Sequence, residues 1–392
     1  MQHIKAIFDI GNYAIKWVIF AQDQWKNVVL VKDMVKTKWL RKWKVIDPVE
    51  LTESIAQIIA TFNKKLGGDF LDEVYVGISH PDMIVTRIQE SKRIMTDKIG
   101  HEDLNHLSKI IGDVALQPNY ELLKIHHVTR TIDENIQLSE SPLGMEGKKL
   151  ELAADTFLLP KNFYNHLVDI FDKLDLNIVD IVPNILGSGE LMIDSESKEL
   201  GTLLIDIGHN QTNFVLYEDG LPTRYEVLAM GWEDVTKDIS IWLQLDIKEA
   251  ETIKLDHGYV GDEEPLTHET PMDGAFLREI VSARYEELFG YINNYLCDLD
   301  KDGRLAGGVV LIGGASKIRW LTKLAKDSFK LSCILGHDST LNMWDLSQNI
   351  QFSNILGTYF WSEKYHDHKK SNTFKVSFGR LWGLRKFLKE VF

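Results

Sequence analysis

The feature that most limits what this chain can fold into is a duplication. Residues 4–20 read IKAIFDIGNYAIKWVIF, and residues 201–220 read GTLLIDIGHNQTNFVLYEDG. Each is an apolar run carrying Asp-Ile-Gly, then a polar turn, then a second apolar run. Apolar runs bounded by turn residues predict strands, and glycine at the junction predicts a tight hairpin. Two copies of one strand–turn–strand unit, far apart in the chain, imply a molecule built from two related halves.

In each copy a carboxylate, Asp9 or Asp206, stands at a strand end, and a glycine, Gly11 or Gly208, follows where the backbone turns. Such a turn presents bare N–H groups that can cradle phosphate oxygens. The carboxylate can hold Mg²⁺ directly or through waters, because magnesium takes oxygen ligands and keeps part of its hydration. Two such hairpins facing each other would clamp a nucleotide polyphosphate between two domains. Asp and Gly are also common turn residues, so either copy alone suits an ordinary hairpin. The matched pair favours the clamp.

Around these copies the pattern is α/β. A strand at 27–31, a helix at 51–66 closed by Gly67-Gly68, and a strand at 72–79 complete a first unit. Residues 82–160 read instead as a small α+β module, with a helix near 102–111, strands around 126–134 and 148–159, and a turn at Pro142-Leu143-Gly144-Met145. The α/β pattern returns with a helix at 162–174 and a strand at 176–182. After the second hairpin come helices at 233–243, 247–255 and 274–296. A strand–Gly-Gly–helix follows at 309–325, beginning within GGVVLIGGAS at 307–316. Glycines after an apolar strand let the backbone approach a flat ligand closely, and Ser316 is placed to cap the next helix.

Two Asp-Ile-Gly hairpins followed by Gly313-Gly314-Ala315-Ser316 resemble the phosphate-1, phosphate-2 and adenosine motifs of the actin and sugar-kinase ATPase superfamily. Within it, the chain resembles the FtsA family over essentially its full length. Pro142-Leu143-Gly144-Met145-Glu146-Gly147 with Leu150 resembles that family's inserted subdomain. Met230-Gly231 with Thr236-Lys237-Asp238-Ile239 resembles its Gly-Gly…Thr-x-Asp-Ile stretch. Ala250-Glu251 with Lys254 resembles the helix that reaches the ribose side of the nucleotide. Ile280-Val281-Ser282-Ala283-Arg284 with Glu286-Glu287 resembles the helix of subdomain 2B.

The resemblance implies the α/β class and the actin-like (ribonuclease H-like) two-domain ATPase fold with an inserted α+β 1C (SHS2) subdomain. It divides the chain into 1A (1–81, 161–195 and 345–362), 1C (82–160), 2A (196–240 and 300–344), 2B (241–299), a linker (363–375) and an amphipathic membrane-targeting helix (376–392). It implies ATP and Mg²⁺ in the cleft between the halves. Asp9 and Asp206 would position the metal and the attacking water. Gly11, Asn12, Lys16, Gly208, His209, Asn210 and Thr212 would surround the phosphates. Gly231, Glu251 and Lys254 would lie toward the nucleoside, and Gly313, Gly314, Ala315 and Ser316 beside adenosine. His209 departs from the family's second hairpin, which carries Gly-Gly and Thr. An imidazole there either adds charge or crowds the γ-phosphate, which puts hydrolysis in doubt more than binding; the residue also suits a solvent-exposed turn histidine. ATP turnover is expected to be weak or regulatory at most.

The partners implied are the C-terminal tail of FtsZ, further copies of the chain in filaments, other division proteins and an anionic membrane, met peripherally on the cytoplasmic face. Two rivals share the fold. One is a type IV pilus assembly adaptor of the PilM kind, which has no membrane helix of its own. The other is a small-molecule kinase, for which no substrate-pocket base is apparent.

Composition narrows the classes. The chain has 392 residues, 44% hydrophobic, with a formal net charge of -14. That length suits several packed cores. An acidic body lacks the basic footprint of a nucleic-acid binder. The two cysteines, Cys297 and Cys333, form no CxxC or Cys/His cluster, which argues against a disulfide framework or a structural zinc. The N-terminus reads as a strand rather than a signal peptide, and no run of 18 apolar residues occurs. An intracellular chain is expected.

The end of the chain is different in character. Leu381, Leu384, Leu388 and Val391 recur at helical spacing, widened by Phe378, Trp382, Phe387 and Phe392, with Arg380, Arg385, Lys386 and Lys389 mostly opposite. From residue 363 onward eight Lys/Arg stand against three Asp/Glu. This suits an interfacial helix with an apolar side for acyl chains and a basic side for anionic headgroups. A terminal helix docked on its own core has the same pattern; the polar stretch before it favours the membrane.

Ten tryptophans are many, and Trp25, Trp39, Trp43, Trp232, Trp242 and Trp320 fall where the resemblance expects glycine. Tryptophan lacks glycine's freedom in tight turns. The expectation is that these are UGA codons that the source organism reads as glycine, with indoles left exposed; UGG codons there would sink it. Real substitution in a divergent relative is the alternative.

Overall fold

The structure, a computed structural model, describes residues 3–23, 26–37, 40–41, 44–45, 48–66, 71, 73–96, 98–138, 141–261, 274–337 and 349–365. The first part runs β1 (His3–Ile10), β2 (Ala14–Asp23), β3 (Lys26–Lys36), the short β4 (Leu40–Arg41) and β5 (Lys44–Val45), α1 (Pro48–Leu66) and β6 (Glu73–Ile78). Then come β7 (Ile84–Arg93), α2 (His101–Ala115), β8 (Tyr120–Ile132), β9 (Ile136–Leu138) and β10 (Lys149–Pro160). They are followed by α3 (Lys161–Lys173), β11 (Asn177–Pro183), α4 (Asn184–Met192) and α5 (Ser195–Leu200). The second part runs β12 (Thr202–Ile207), β13 (Thr212–Glu218), β14 (Leu221–Leu228), α6 (Trp232–Leu243), α7 (Ile247–His257), α8 (Gly274–Asp298) and β15 (Gly308–Ile312). A 3-10 turn (Gly314–Lys317), α9 (Leu321–Phe329), β16 (Cys333–Leu335), a second 3-10 turn (Ile350–Phe352) and α10 (Ser353–Tyr365) complete it.

The duplication in sequence is a duplication in topology. One sheet has the order β3-β2-β1-β6-β11, the other β14-β13-β12-β15-β16. In both, a three-strand antiparallel meander continues into two parallel strands. A separate antiparallel sheet, β7-β10-β8-β9, is inserted between β6 and β11 and packs its own core with α2.

Strand alternation decides where the carboxylates point. On β1, Ala6, Phe8 and Ile10 face a core shared with α1 and α3, while Ile7 faces a core between the two halves. On β12, Leu203, Ile205 and Ile207 face the helices of the second half, while Leu204 faces the same central core. Side chains alternate with period two, so Asp9 follows Ile7 and Asp206 follows Leu204 toward the middle of the molecule. Both strands are covered on both faces, which explains why they read as continuous apolar runs.

That middle is occupied by α4 and α10, and they cross closely. A Cβ on Gly187 would lie 2.7 Å from the Gly357 carbonyl carbon, and one on Gly357 would lie 2.5 Å from the Ser188 nitrogen. Only glycine allows backbones to approach so near. Helix α10 runs to Tyr365, three residues into the stretch read as linker, with Lys5 bonded to Glu363 and Lys364 to Glu190. The amphipathic segment 376–392, with Phe378 through Phe392, lies outside the described residues, as do Trp25, Trp39 and Trp43.

The remaining tryptophans correct the expectation of uniformly exposed indoles. Trp242 is 65% exposed. Trp232 and Trp320 pack instead against the core of the second half. Trp320 meets Tyr259 edge-on at 5.4 Å, yet its backbone is left-handed, φ 64°.

Candidate functional site

The two hairpins end at the same place. Gly11 N–H donates to the Ala14 carbonyl at 3.2 Å, and Gly208 N–H donates to the Gln211 carbonyl at 2.9 Å. A Cβ on either glycine would sit 2.9 Å from that acceptor. Both turns open into one cavity of about 530 Å³ between the halves. It is lined by Asp9, Gly11, Asn12 and Lys16 from the first hairpin and by Asp206, Gly208, His209 and Asn210 from the second.

Asp9 is buried at the end of β1. It accepts a hydrogen bond from Lys16 Nζ at 2.8 Å, its cross-strand partner, and one from Asn184 Nδ2 at 2.9 Å. Asp206 is buried too, but its cross-strand partner is Asn213, not a cation. It accepts from Asn354 Nδ2 at 3.1 Å. Burial pushes its carboxyl up to about 6, helped by the nearby Asp9 charge and opposed by the Asn354 bond. The backbone of the glycine turn presses on it: Gly313 has φ 88°, and a Cβ there would lie 2.4 Å from Asp206 Oδ1.

Asn184 and Asn354 were missed in the sequence reading, though a signal was present. Each opens an Asn-Ile-Leu-Gly, at 184–187 and 354–357, so the helices are duplicated along with the hairpins. Ser188 Oγ donates to Asn354 Oδ1 at 2.8 Å and links the two.

The other walls are uneven. Glu251, Lys254, Gly313, Gly314 and Ala315 line the cavity. Thr212, Gly231 and Ser316 stand behind the lining: Thr212 donates to the Met230 carbonyl at 2.9 Å, and Gly231 backs onto the His209 carbonyl. Ser316 does not cap the next helix. It sits in the 3-10 turn and donates back to the Ile312 carbonyl at 2.6 Å, while α9 starts at Leu321, with Trp320 at its N-cap and no side-chain cap. Lys254 is fully buried; Glu251 pairs with it at 2.7 Å, and burial lowers its ammonium to about 8 against that pull. Trp232, also absent from the expected set, lines the same wall, donates from Nε1 to Glu251 at 3.2 Å and holds Lys254 over its ring.

His209 is not a free turn residue. It stacks on Tyr13 of the other hairpin, ring centroids 4.8 Å apart, and burial holds its imidazole below the ordinary value. The second turn is braced from behind by the start of α6, where Trp232 N–H donates to Gly208 O and Glu233 N–H to His209 O.

Among the described residues no group of three or more His, Cys, Asp or Glu could cage a metal, and no helix is long and apolar enough to cross a membrane. A hydrated magnesium fits better than a caged ion. Two buried carboxylates reach the cavity, and the buried Asn184 Oδ1 and Gln211 Oε1, both on lining residues, have no hydrogen-bond partner. Buried oxygen acceptors without donors suit the waters of such an ion.

A family model described as "Cell division protein FtsA" matches residues 203–357. The FtsA of Enterococcus faecalis is 24% identical over 92% of this chain and 83% of its own. That of Bacillus subtilis is 25% identical over 81% and 75%, and that of Buchnera aphidicola from Schizaphis graminum is 24% identical over 74% of each. Among solved structures, a PilM-PilN type IV pilus biogenesis complex superposes with TM-score 0.67 at 17% identity, covering 90% of this chain and 97% of that one. The ADP-bound MreB5 of Spiroplasma citri gives 0.54 at 11%, covering 92% and 96%. With its paired hairpins and paired sheets the chain has the actin-like ATPase fold, and over most of its length it is similar to FtsA cell-division proteins.

Proposed function

We propose that the cleft binds ATP with Mg²⁺ and that nucleotide binding controls assembly of the chain on the cytoplasmic face of the membrane, where it tethers the division ring. The observation that carries the nucleotide reading is the matched pair of glycine turns opening on one cavity beside two buried carboxylates. MreB5, on the same fold, is described as bound to ADP and to AMPPNP. Here Asp9 and Asp206 would hold the hydrated metal, which would neutralise phosphate charge. The N–H groups around Gly11 and Gly208 and the Lys16 ammonium would take the phosphates, and Gly313, Gly314 and Ala315 would leave room for the base. The burial of Asp206 without a cation is relieved when magnesium is present.

The finer assignments are part of the same proposal. The sheet of the first half with its helices is 1A, the inserted sheet is 1C with the SHS2 arrangement, the second sheet is 2A, and α7–α8 belong to 2B. The 2B face would take the C-terminal tail of FtsZ, and residues 376–392 would lie in the membrane surface through Leu381, Trp382, Leu384, Leu388, Val391, Phe392 and Phe378, with Arg385, Lys386 and Lys389 on headgroups. Titration with Mg·ATP followed by calorimetry tests the cleft: no heat at millimolar nucleotide overturns it. Co-sedimentation with anionic liposomes tests the tail. Persistence of binding after residues 376–392 are removed would remove the membrane part and favour the pilus-adaptor reading, which the 0.67 superposition keeps in view.

A further inference from the structure

The helices that cross in the middle of the molecule repeat more than their asparagines. Each carries a hydroxyl four residues after its asparagine, Ser188 on α4 and Thr358 on α10. Residues four apart share a helix face. Both hydroxyl residues are completely buried, and neither lines the cavity. The two copies nevertheless bond differently. Ser188 Oγ reaches across the crossing and donates to Asn354 Oδ1 at 2.8 Å, and Asn354 Nδ2 donates to Asp206 Oδ2 at 3.1 Å. Asn184 Nδ2 donates to Asp9 Oδ1 at 2.9 Å, but Asn184 Oδ1 and Thr358 Oγ1 have no hydrogen-bond partner.

We propose that Ser188 is a positioning residue for Asp206, acting through Asn354, and that it thereby sets how well the cleft holds magnesium with a nucleotide. The inference rests on the nucleotide reading above. A carboxamide can present either its N–H or its C=O end, and an ionised carboxylate only accepts. Asp206 therefore needs the Nδ2 end of Asn354. The Ser188 hydroxyl takes the Oδ1 end and leaves Nδ2 as the end that faces Asp206. Asn354 lines the cavity, so without that hold its amide can turn away and Asp206 loses the donor that orients it. A carboxylate fixed before the ion arrives needs no rearrangement to bind it, and partners behind a metal-binding group tune its affinity in this way. Helix α4 thus serves both carboxylates: Asn184 touches Asp9 directly, and Ser188, one turn later, reaches Asp206 through the opposite helix. The copies divide the task. Asn184 Oδ1 is left for the waters of the ion, whereas Asn354 Oδ1 is taken by Ser188.

The test is the gain in affinity that Mg²⁺ gives the ATP analogue AMPPNP, measured by calorimetry on the full chain with the metal and with EDTA. Ser188→Ala should cut that gain by about threefold to tenfold, the range one buried hydrogen bond spans. Its metal-free affinity should stay as it was, which also shows that the variant is folded. Thr358→Val, a near-isosteric change at the matching place on the same crossing, should leave the gain intact. Asn354→Ala should lose at least as much as Ser188→Ala, and combining the two should cost nothing more, because Ser188 acts through Asn354. An intact gain in Ser188→Ala, an equal loss in Thr358→Val or additive losses in the double variant overturns the proposal while leaving the nucleotide site standing. So does a loss that is the same with and without the metal, which would mark Ser188 as packing alone. If the unaltered chain binds AMPPNP no better with Mg²⁺, or not at all, the metal or the nucleotide reading falls with it.

Discussion

The two halves share a fold, a glycine turn and an asparagine-led helix, yet they treat their central carboxylates differently. Asp9 has a cation across the strand, Lys16 at 2.8 Å, and an amide, Asn184. Asp206 has only the amide, Asn354, because the residue opposite it is Asn213. Duplication copied the geometry and one lysine broke the symmetry. The first carboxylate therefore has a cation in contact, whereas the second is buried with Lys16 acting on it only at longer range. A site built this way has one structural carboxylate and one responsive one.

The sharpest way to break this contrast is to remove the lysine. Lys16→Met leaves Asp9 buried beside an amide alone, and losing one partner of such a pair should cost about 3 kcal/mol or more of unfolding free energy. The register equivalent in the second half, Asn213→Leu, loses one hydrogen bond to Gln211 and should cost roughly 1 kcal/mol. Urea unfolding of both variants without nucleotide decides it, and equal losses would erase the asymmetry.

The second test concerns sign. The Asp206 carboxyl is raised from 3.8 to about 6 in the fold. Between those values the native state keeps a proton that the unfolded chain has released, so stability falls as pH rises and stays low above about 6. A shift of this size corresponds to about 3 kcal/mol at most. Asp206→Asn should therefore stabilise the ligand-free protein at pH 8 by roughly 2 kcal/mol and flatten the decline between pH 4 and 6. Asp9→Asn, which strips Lys16 of its partner, should destabilise. Melting curves against pH would contradict the comparison if both substitutions moved stability in one direction. Magnesium-dependent stabilisation should disappear in Asp206→Asn.

Much of this was legible in the sequence and some was not, for identifiable reasons. The hairpins were visible because strands buried on both faces read as unbroken apolar runs around Asp-Ile-Gly. Asn184 and Asn354 were not, because a four-residue Asn-Ile-Leu-Gly is a short signal beside the hairpin repeat, although it recurs after each half. The short α4 gives little helical signal: eight of its nine residues are buried, so no polar face marks its period. Ser316 looked like a helix cap because a serine after Gly-Gly usually is one; a 3-10 turn intervenes, and its hydroxyl turns back to Ile312. The burial of His209 came from Tyr13 across the cleft, a contact between residues 196 positions apart that no local pattern encodes.

The helix pair offers a third, smaller test. Gly187→Ala and Gly357→Ala each force a methyl into the partner backbone at under 3 Å, and each should cost about 1–3 kcal/mol by pushing α4 and α10 apart. Since the two glycines face one another, the double variant should cost less than the sum. Additive losses in denaturant titrations would mean the helices do not meet at this crossing.

The smallest effect is expected where the second half is strained and the first is not. Among the described residues, those other than glycine with positive φ before residue 200 are Asn119, Asp133, Glu134 and Asp175, all polar; in the second half the aromatic Trp320 joins them at φ 64°. A bulky residue there costs roughly 1–2 kcal/mol that glycine does not. Trp320→Gly would recover that strain but lose the edge contact with Tyr259, worth about 0.5–1.5 kcal/mol. The net change should be within about 1 kcal/mol of zero. Trp232→Gly is the useful contrast. Trp232 is the first residue of α6, has no positive φ, bonds Glu251 and covers Lys254. Its loss should cost roughly 2 kcal/mol through the hydrogen bond and the cation–ring contact. A near-neutral Trp320→Gly beside a costly Trp232→Gly would mark position 320 as one whose backbone was shaped for glycine. A UGA codon at position 320 in the gene, with a glycine mass in the protein purified from its own source, would then establish the residue the fold was built around. A UGG codon would leave the strain as a property of the tryptophan chain.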